Sequence, residues 1–177
     1  VVKPVEKYFG AIPRGPEVNP VVVPPANLKQ DRYVSYTDNY SRLPLLSIVY
    51  PTVPNYHKDM GALACLAQVL GQGRNSVMYQ QLVKKQLALQ ASGFSSLSEL
   101  AGEFMFQISP APGKTLASMD SLFRSALDSF ELRGVTDEDV AKFKGGIESQ
   151  QINGLQSVSG KVSQLASFQT FTGNPNN

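Results

Sequence analysis

Glu103-Phe104-Met105-Phe106-Gln107-Ile108-Ser109 is the stretch that decides the fold. Its residues alternate, with Phe104, Phe106 and Ile108 on one side and Met105 and Gln107 on the other. A period of two is that of a β-strand, and an apolar side facing a mixed side is that of a strand covered on one face only. Upstream, the Ser/Gly-rich residues 93–102 read as a loop, and residues 87–92 as a second strand. Further back lie Leu45-Leu46-Ser47-Ile48-Val49-Tyr50 and Arg32-Tyr33-Val34-Ser35-Tyr36-Thr37. The first is continuously apolar, as a strand deep in a sheet would be, and Pro51 and Pro54 are expected to end it. The second alternates and is rich in aromatic and β-branched residues, so a strand is expected there too, closed by a turn at Asp38-Asn39.

Between these pairs the periodicity changes. Met60, Leu63, Ala67 and Leu70 share a helical face, with Asp59 as expected N-cap and Gly71 and Gly73 as the stop. Val77, Met78, Gln81, Leu82 and Lys85 form a second helical pattern, which Asn75 or Ser76 would cap. After the last strand, Leu116, Met119, Phe123, Ala126, Leu127 and Phe130 make an amphipathic stripe that Gly134 stops. Thr136-Asp137-Glu138-Asp139 is a near capping box, with Asp in place of the usual Glu, and Val140, Phe143 and Ile147 carry its helix inward. Gly145-Gly146 inside that helix costs about 1 kcal/mol per glycine relative to alanine, and close helix packing is one reason to keep such a pair. A final helix carries Val158, Val162, Leu165 and Phe168 and stops near Gly173. Strands in pairs and helices in runs predict an α+β fold, a mostly antiparallel sheet with helices packed on one face.

The amino terminus differs from the rest. Val2, Val5 and Phe9 follow helical spacing, with Gly10 at the cap position. Pro13, Pro16, Pro20, Pro24 and Pro25 then mark an extended, semi-rigid linker. The expected division is residues 1–26, the end of a preceding domain and its linker, and residues 27–177, one domain.

Composition removes several function classes. A chain of 177 residues buries roughly 70% of its unfolded surface, so it needs neither disulfides nor a metal to fold. Its single cysteine, Cys65, sits in an apolar run and reads as a small buried hydrophobe. The net charge is +2 and scattered, with Lys84-Lys85 at an expected helix end, so nucleic acid is not an expected partner. No apolar run approaches the ~20 residues that span a bilayer as a helix, so a membrane is not expected either.

Histidine count is the sharpest constraint on chemistry. His57 is the only one, beside Lys58-Asp59 at a helix start, where it reads as a surface or capping residue. Catalytic zinc sites take three protein ligands, most often with two or three histidines, so no metal site, catalytic residue or cofactor site is expected in this chain. No serine sits in Gly-x-Ser-x-Gly. Asp137, Glu138 and Asp139 form a carboxylate cluster, but a first helical turn already accounts for them through the helix dipole. Gly71-Gln72-Gly73-Arg74-Asn75-Ser76 follows a helix and lacks the Gly-Lys-Ser/Thr ending of a phosphate loop, so it reads as helix stop, turn and helix start.

Several segments in order carry a family resemblance. Tyr8-Phe9-Gly10-Ala11-Ile12-Pro13 is similar to the segment joining successive domains of the insulinase/pitrilysin zinc peptidases. Pro51-Thr52-Val53-Pro54-Asn55-Tyr56-His57-Lys58-Asp59, then Leu70-Gly71-Gln72-Gly73-Arg74-Asn75-Ser76-Val77-Met78-Tyr79-Gln80-Gln81-Leu82-Val83, then Glu99-Leu100-Ala101-Gly102-Glu103-Phe104 resemble the second domain of these enzymes. Pro112-Gly113 and Gly134-Val135-Thr136-Asp137-Glu138-Asp139-Val140 continue the match. The resemblance implies the repeated α+β domain shared with mitochondrial processing peptidase, in which two halves close into a chamber around a peptide. It implies that zinc sits on a His-x-x-Glu-His motif in the preceding domain, and that this chain is the inactive second domain, with residues 1–10 the end of the first domain or the start of the linker. Its partners are then the other domains and, in the whole protein, a peptide substrate; a domain without its neighbour would expose an apolar patch and could pair as a homodimer. The periplasm is the compartment the resemblance points to.

One stretch departs from the family. Some non-metal domains carry an arginine and a Leu-Ala-Tyr string that contact substrate. Here the stretch reads Lys84-Lys85-Gln86-Leu87-Ala88-Leu89, with Leu89 at the tyrosine position and no arginine, so no substrate-contact role is expected. The alternative function is a structural or binding module of the same fold without peptidase activity. An unrelated enzyme working through Asp137 and Glu138 is the third reading.

Overall fold

The computed structural model describes residues 2–19 and 21–176; Val1 and Pro20, which the linker reading includes, lie outside them. Three strands form one antiparallel sheet in the order β1-β3-β2. They are β1 (Leu46–Thr52), β2 (Ala88–Leu97) and β3 (Gly102–Pro110). The helices are α1 (Val2–Phe9), α2 (Met60–Gly71), α3 (Leu116–Arg133), α4 (Asp137–Gly154) and α5 (Val158–Thr172). The α+β architecture expected from the alternation is therefore present, with α2 and α3 on one face of the sheet.

The apolar side of β3 makes the core. Phe104, Phe106 and Ile108 are buried, opposite Tyr50, Ile48 and Leu46 of β1. The Phe106 ring lies 4.8 Å from that of Phe123 and 5.1 Å from that of Phe104, which ties α3 to the sheet. Met119 and Ala126 complete the buried stripe of α3, as the spacing predicts. The helix starts at a Thr115–Ser118 capping box: each side chain satisfies the other residue's backbone N–H.

Gly71 sets the distance between α2 and the sheet. A Cβ at Gly71 would lie 1.9 Å from the Gly93 nitrogen, and one at Gly93 would lie 2.8 Å from the Phe106 ring. Helix end and strand thus meet backbone to backbone, which only glycine permits.

The structure corrects four sequence expectations. Residues 93–97 belong to β2 rather than to a loop, and only residues 98–101 turn, with the Ser98 N–H donating to the Ala101 carbonyl at 2.8 Å. Their Ser/Gly composition hides a strand whose glycine serves the close approach of α2. β1 is an edge strand rather than a deep one, and Pro51 lies within it, which an edge tolerates. The 32–37 segment forms no strand, and all of its residues are exposed. The second helical pattern is mostly a π-turn at Tyr79–Val83.

The tail of the chain packs lightly. No described residue of α4 or α5 is buried, and α5 is anchored through Tyr56, whose ring stacks on Phe171 and meets Phe168 edge-on. The Gly145-Gly146 pair is not explained by close packing: a Cβ added at Gly145 would meet nothing outside its own helix within 4 Å, and one at Gly146 only the Gln68 amide oxygen at 4.0 Å.

Opposite outcomes follow for glycine replacement. Gly71→Ala should cost at least about 3 kcal/mol, since overlap with backbone cannot be relieved by a rotamer change. Gly145→Ala should gain about 0.5–1 kcal/mol from helix propensity and a less flexible unfolded chain. Urea unfolding of both variants checks the pair.

Candidate functional site

Each residue that could carry chemistry is engaged in local structure. His57 Nδ1 accepts the Asp59 N–H at 3.2 Å, and the His57 carbonyl accepts the Met60 N–H at 3.0 Å. His57 therefore builds the turn into α2. Asp59, the expected N-cap, has helical backbone angles and makes no side-chain cap bond; its own N–H is taken up by the imidazole.

Ser76 fills the cap role proposed for Asn75 or Ser76. Its hydroxyl donates to the Gly73 carbonyl at 2.8 Å and accepts the Tyr79 N–H at 3.4 Å, and the residue is 2% exposed. Gly71 is pressed against β2, and the Gln72 and Ser76 N–H groups donate to the Gln68 and Gly73 carbonyls.

The acidic cluster resolves into separate partners. Asp139 Oδ2 accepts the Thr136 N–H at 3.1 Å and an Arg133 Nη2 bond at 2.9 Å, while the Thr136 hydroxyl accepts the Asp139 N–H at 3.2 Å. The Thr136–Asp139 capping box is thus formed. Glu138 pairs with Lys142 at 2.6 Å across one helical turn. The backbone hydrogen bond from Thr136, then its hydroxyl and Arg133, hold the Asp139 carboxyl below its ordinary range against the opposing effect of burial. An acid so stabilised as its anion is a poor proton donor at neutral pH.

Cys65 lines an apolar groove of about 570 Å³ between α2 and the start of α4, with Leu63, Leu66, Val140 and Phe143. Burial, and secondarily the charge of Asp139, push its thiol up, so the nucleophilic thiolate is disfavoured.

Leu89 shows why sequence comparison at the 84–89 stretch is delicate. The ladder shifts between Ala88 and Gln90, which leaves Leu89 as the extra residue of a bulge, 51% exposed. Gln86, just before it, has a positive φ of 58°. Nothing in the amino-acid pattern signals this bulge.

Among the described residues, no three of His, Cys, Asp and Glu gather into a group that could hold a metal ion. These residues do not fit a zinc site. No described helix is long and apolar enough to cross a membrane.

What remains is a surface. On the side of the sheet away from α2 and α3, the register aligns Val49, Met105 and Phe94 in one row and Ser47, Gln107 and Ser92 in the next. Val49 is 45% exposed, and Ser47, Gln90 and Ser96 are exposed as well.

Residues 1–146 match the family described as the peptidase M16 inactive domain. The chain belongs to this family. Among solved structures, this M16 inactive domain superimposes on a protease from Helicobacter pylori with a TM-score of 0.68 and 24% identity, over 76% of this chain and 33% of that one. It also superimposes on the inactive peptidase domain of a protein assigned as a zinc protease from Bordetella parapertussis, with a TM-score of 0.64 and 17% identity, over 75% and 72% of the two chains. A peptidase M16 inactive domain from Pseudomonas fluorescens gives 0.59 and 16%, over 72% and 30%. The M16 inactive domain spans about a third of the length of the Helicobacter protein. No protein of curated function matches it significantly.

A pH dependence follows from Asp139. Its folded pKa is depressed, so its stabilising contribution is present above the ordinary aspartate value of 3.8 and is lost as pH falls through the folded value. Asp139→Asn should therefore unfold at lower urea concentration than the native chain at pH 7, and the gap should close progressively below pH ~3.8. Thr136→Ala should cost about 1 kcal/mol at either pH.

Proposed function

We propose that this M16 inactive domain supports the metal-bearing domain of a zinc metalloendopeptidase and turns its open sheet face toward the chamber that holds the peptide. The observation that carries the proposal is that face: three strands wide, uncovered by α2 and α3, with an apolar row beside a polar one. Val49, Met105 and Phe94 offer contact area to side chains of varied shape, while Ser47, Gln107 and Ser92 offer hydrogen bonds. Such a surface suits passing contact with many peptides better than tight selection of one.

In this proposal the zinc belongs to the preceding domain, on a His-x-x-Glu-His motif where a bound water is activated. The domain itself contributes rigidity and a wall, and the protein works in the periplasm. If the whole protein lacked zinc ligands throughout, the same wall would serve a binding scaffold.

The test uses the full-length protein. A photo-crosslinking residue at Met105 should capture an added peptide substrate, and one at Leu132, 91% exposed on α3, should not. Elemental analysis should find about one zinc per full-length chain and no loss of it when His57 is replaced. Equal capture at both positions would overturn the wall, and absence of zinc would favour the scaffold.

A further inference from the structure

The outer face of the sheet carries a single charge. Of the outward positions that the register gives the three strands, Glu103 alone is an acid or a base. It stands on the middle strand, between Pro51 of β1 and Ser96 of β2, in the row next to Val49–Met105–Phe94. Neither neighbour brings a charge to it.

Its lack of a partner sets it apart from the other acids. Among the described residues, three acids are half-buried: Asp120, Asp139 and Glu103. Arg124 pairs with the first at 3.1 Å and Arg133 with the second at 2.9 Å. Glu103 enters no ion pair; the remaining pairs take up Asp31, Asp59 and Glu138. A carboxylate partly withdrawn from water and left without a cation attracts an arriving cation more strongly than a fully solvated one does.

The spacing of the rows adds a second requirement. Adjacent rows on one face stand two residues apart along a strand, about 6.8 Å. The side chains that an extended peptide turns toward the sheet recur at the same interval. Extended chains packed on a sheet face lie within about 30° of its strands, as packed sheets do. A peptide with a large apolar side chain on the row Val49–Met105–Phe94 therefore sets the side chain two residues along against Glu103. The residue between them faces away. Two residues along in the other direction, the peptide meets the uncharged row Ser47–Gln107–Ser92.

We infer that Glu103 selects peptides in which a lysine or arginine stands two residues from a large apolar side chain, in either order. Arginine fits better, because its planar fork can engage both carboxylate oxygens. The inference rests on the reading of the open face as the chamber wall and names the peptide class that wall takes.

The test uses the full-length protein with a photo-crosslinking residue at Ser92, beside the apolar row and away from Glu103, with a chelator present so that capture and not turnover is read. Three extended peptides of equal length differ only in a central Phe-Ala-Arg, Phe-Ala-Gln or Phe-Arg-Ala. The first should be captured at about fivefold lower concentration than the other two. Glu103→Gln should remove that preference, and Glu103→Asp should keep part of it. Equal capture of the three peptides by the protein with native Glu103, or a preference that survives Glu103→Gln, would overturn the role of Glu103 and leave the wall standing. Capture of none of them would remove the wall and this inference with it.

Discussion

The contact between Gly71 and Gly93 is the constraint on which the rest depends. Because neither residue has a Cβ, the last turn of α2 rests directly on the backbone of β2. Gly93 also leaves room for the Phe106 ring, and that ring meets Phe104, Phe123 and, edge-on, Tyr50. One small-residue contact thus places α2, the central strand and α3 relative to one another. Leu70, Met78 and Leu82 close the same core from the α2 side. Close-packed interiors transmit such a displacement because they contain little free space to absorb it.

Among the described residues, the polar groups of the chain that could carry chemistry are engaged close to home. Its candidate polar groups stand at element ends, where backbone donors need partners. His57 serves the turn into α2, Ser76 the start of the π-turn region, and Thr136 with Asp139 the start of α4. A group engaged in this way is held in position by the backbone group it satisfies. Membership of the M16 inactive-domain family agrees with that division of labour.

Among the described residues, the sheet has two unlike faces and two edges without a further strand. Its inner face is closed by α2 and α3, and its outer face alternates apolar and polar rows at the strand period.

By itself the sequence determined what depends on near neighbours along the chain. The alternation of Phe104, Phe106 and Ile108, the stripe of Met119, Phe123 and Ala126, and the Thr136–Asp139 box all appear in the structure as read, because period and capping are set within a few residues. Tertiary structure alone decided what depends on distant partners. Residues 93–97 are strand because β3 lies beside them and α2 needs Gly93, despite a composition that suggests a loop. The bulge at Leu89 and the edge position of β1 have the same origin. Strand identity is a property of pairing, and a pairing partner tens of residues away leaves no mark on the local pattern.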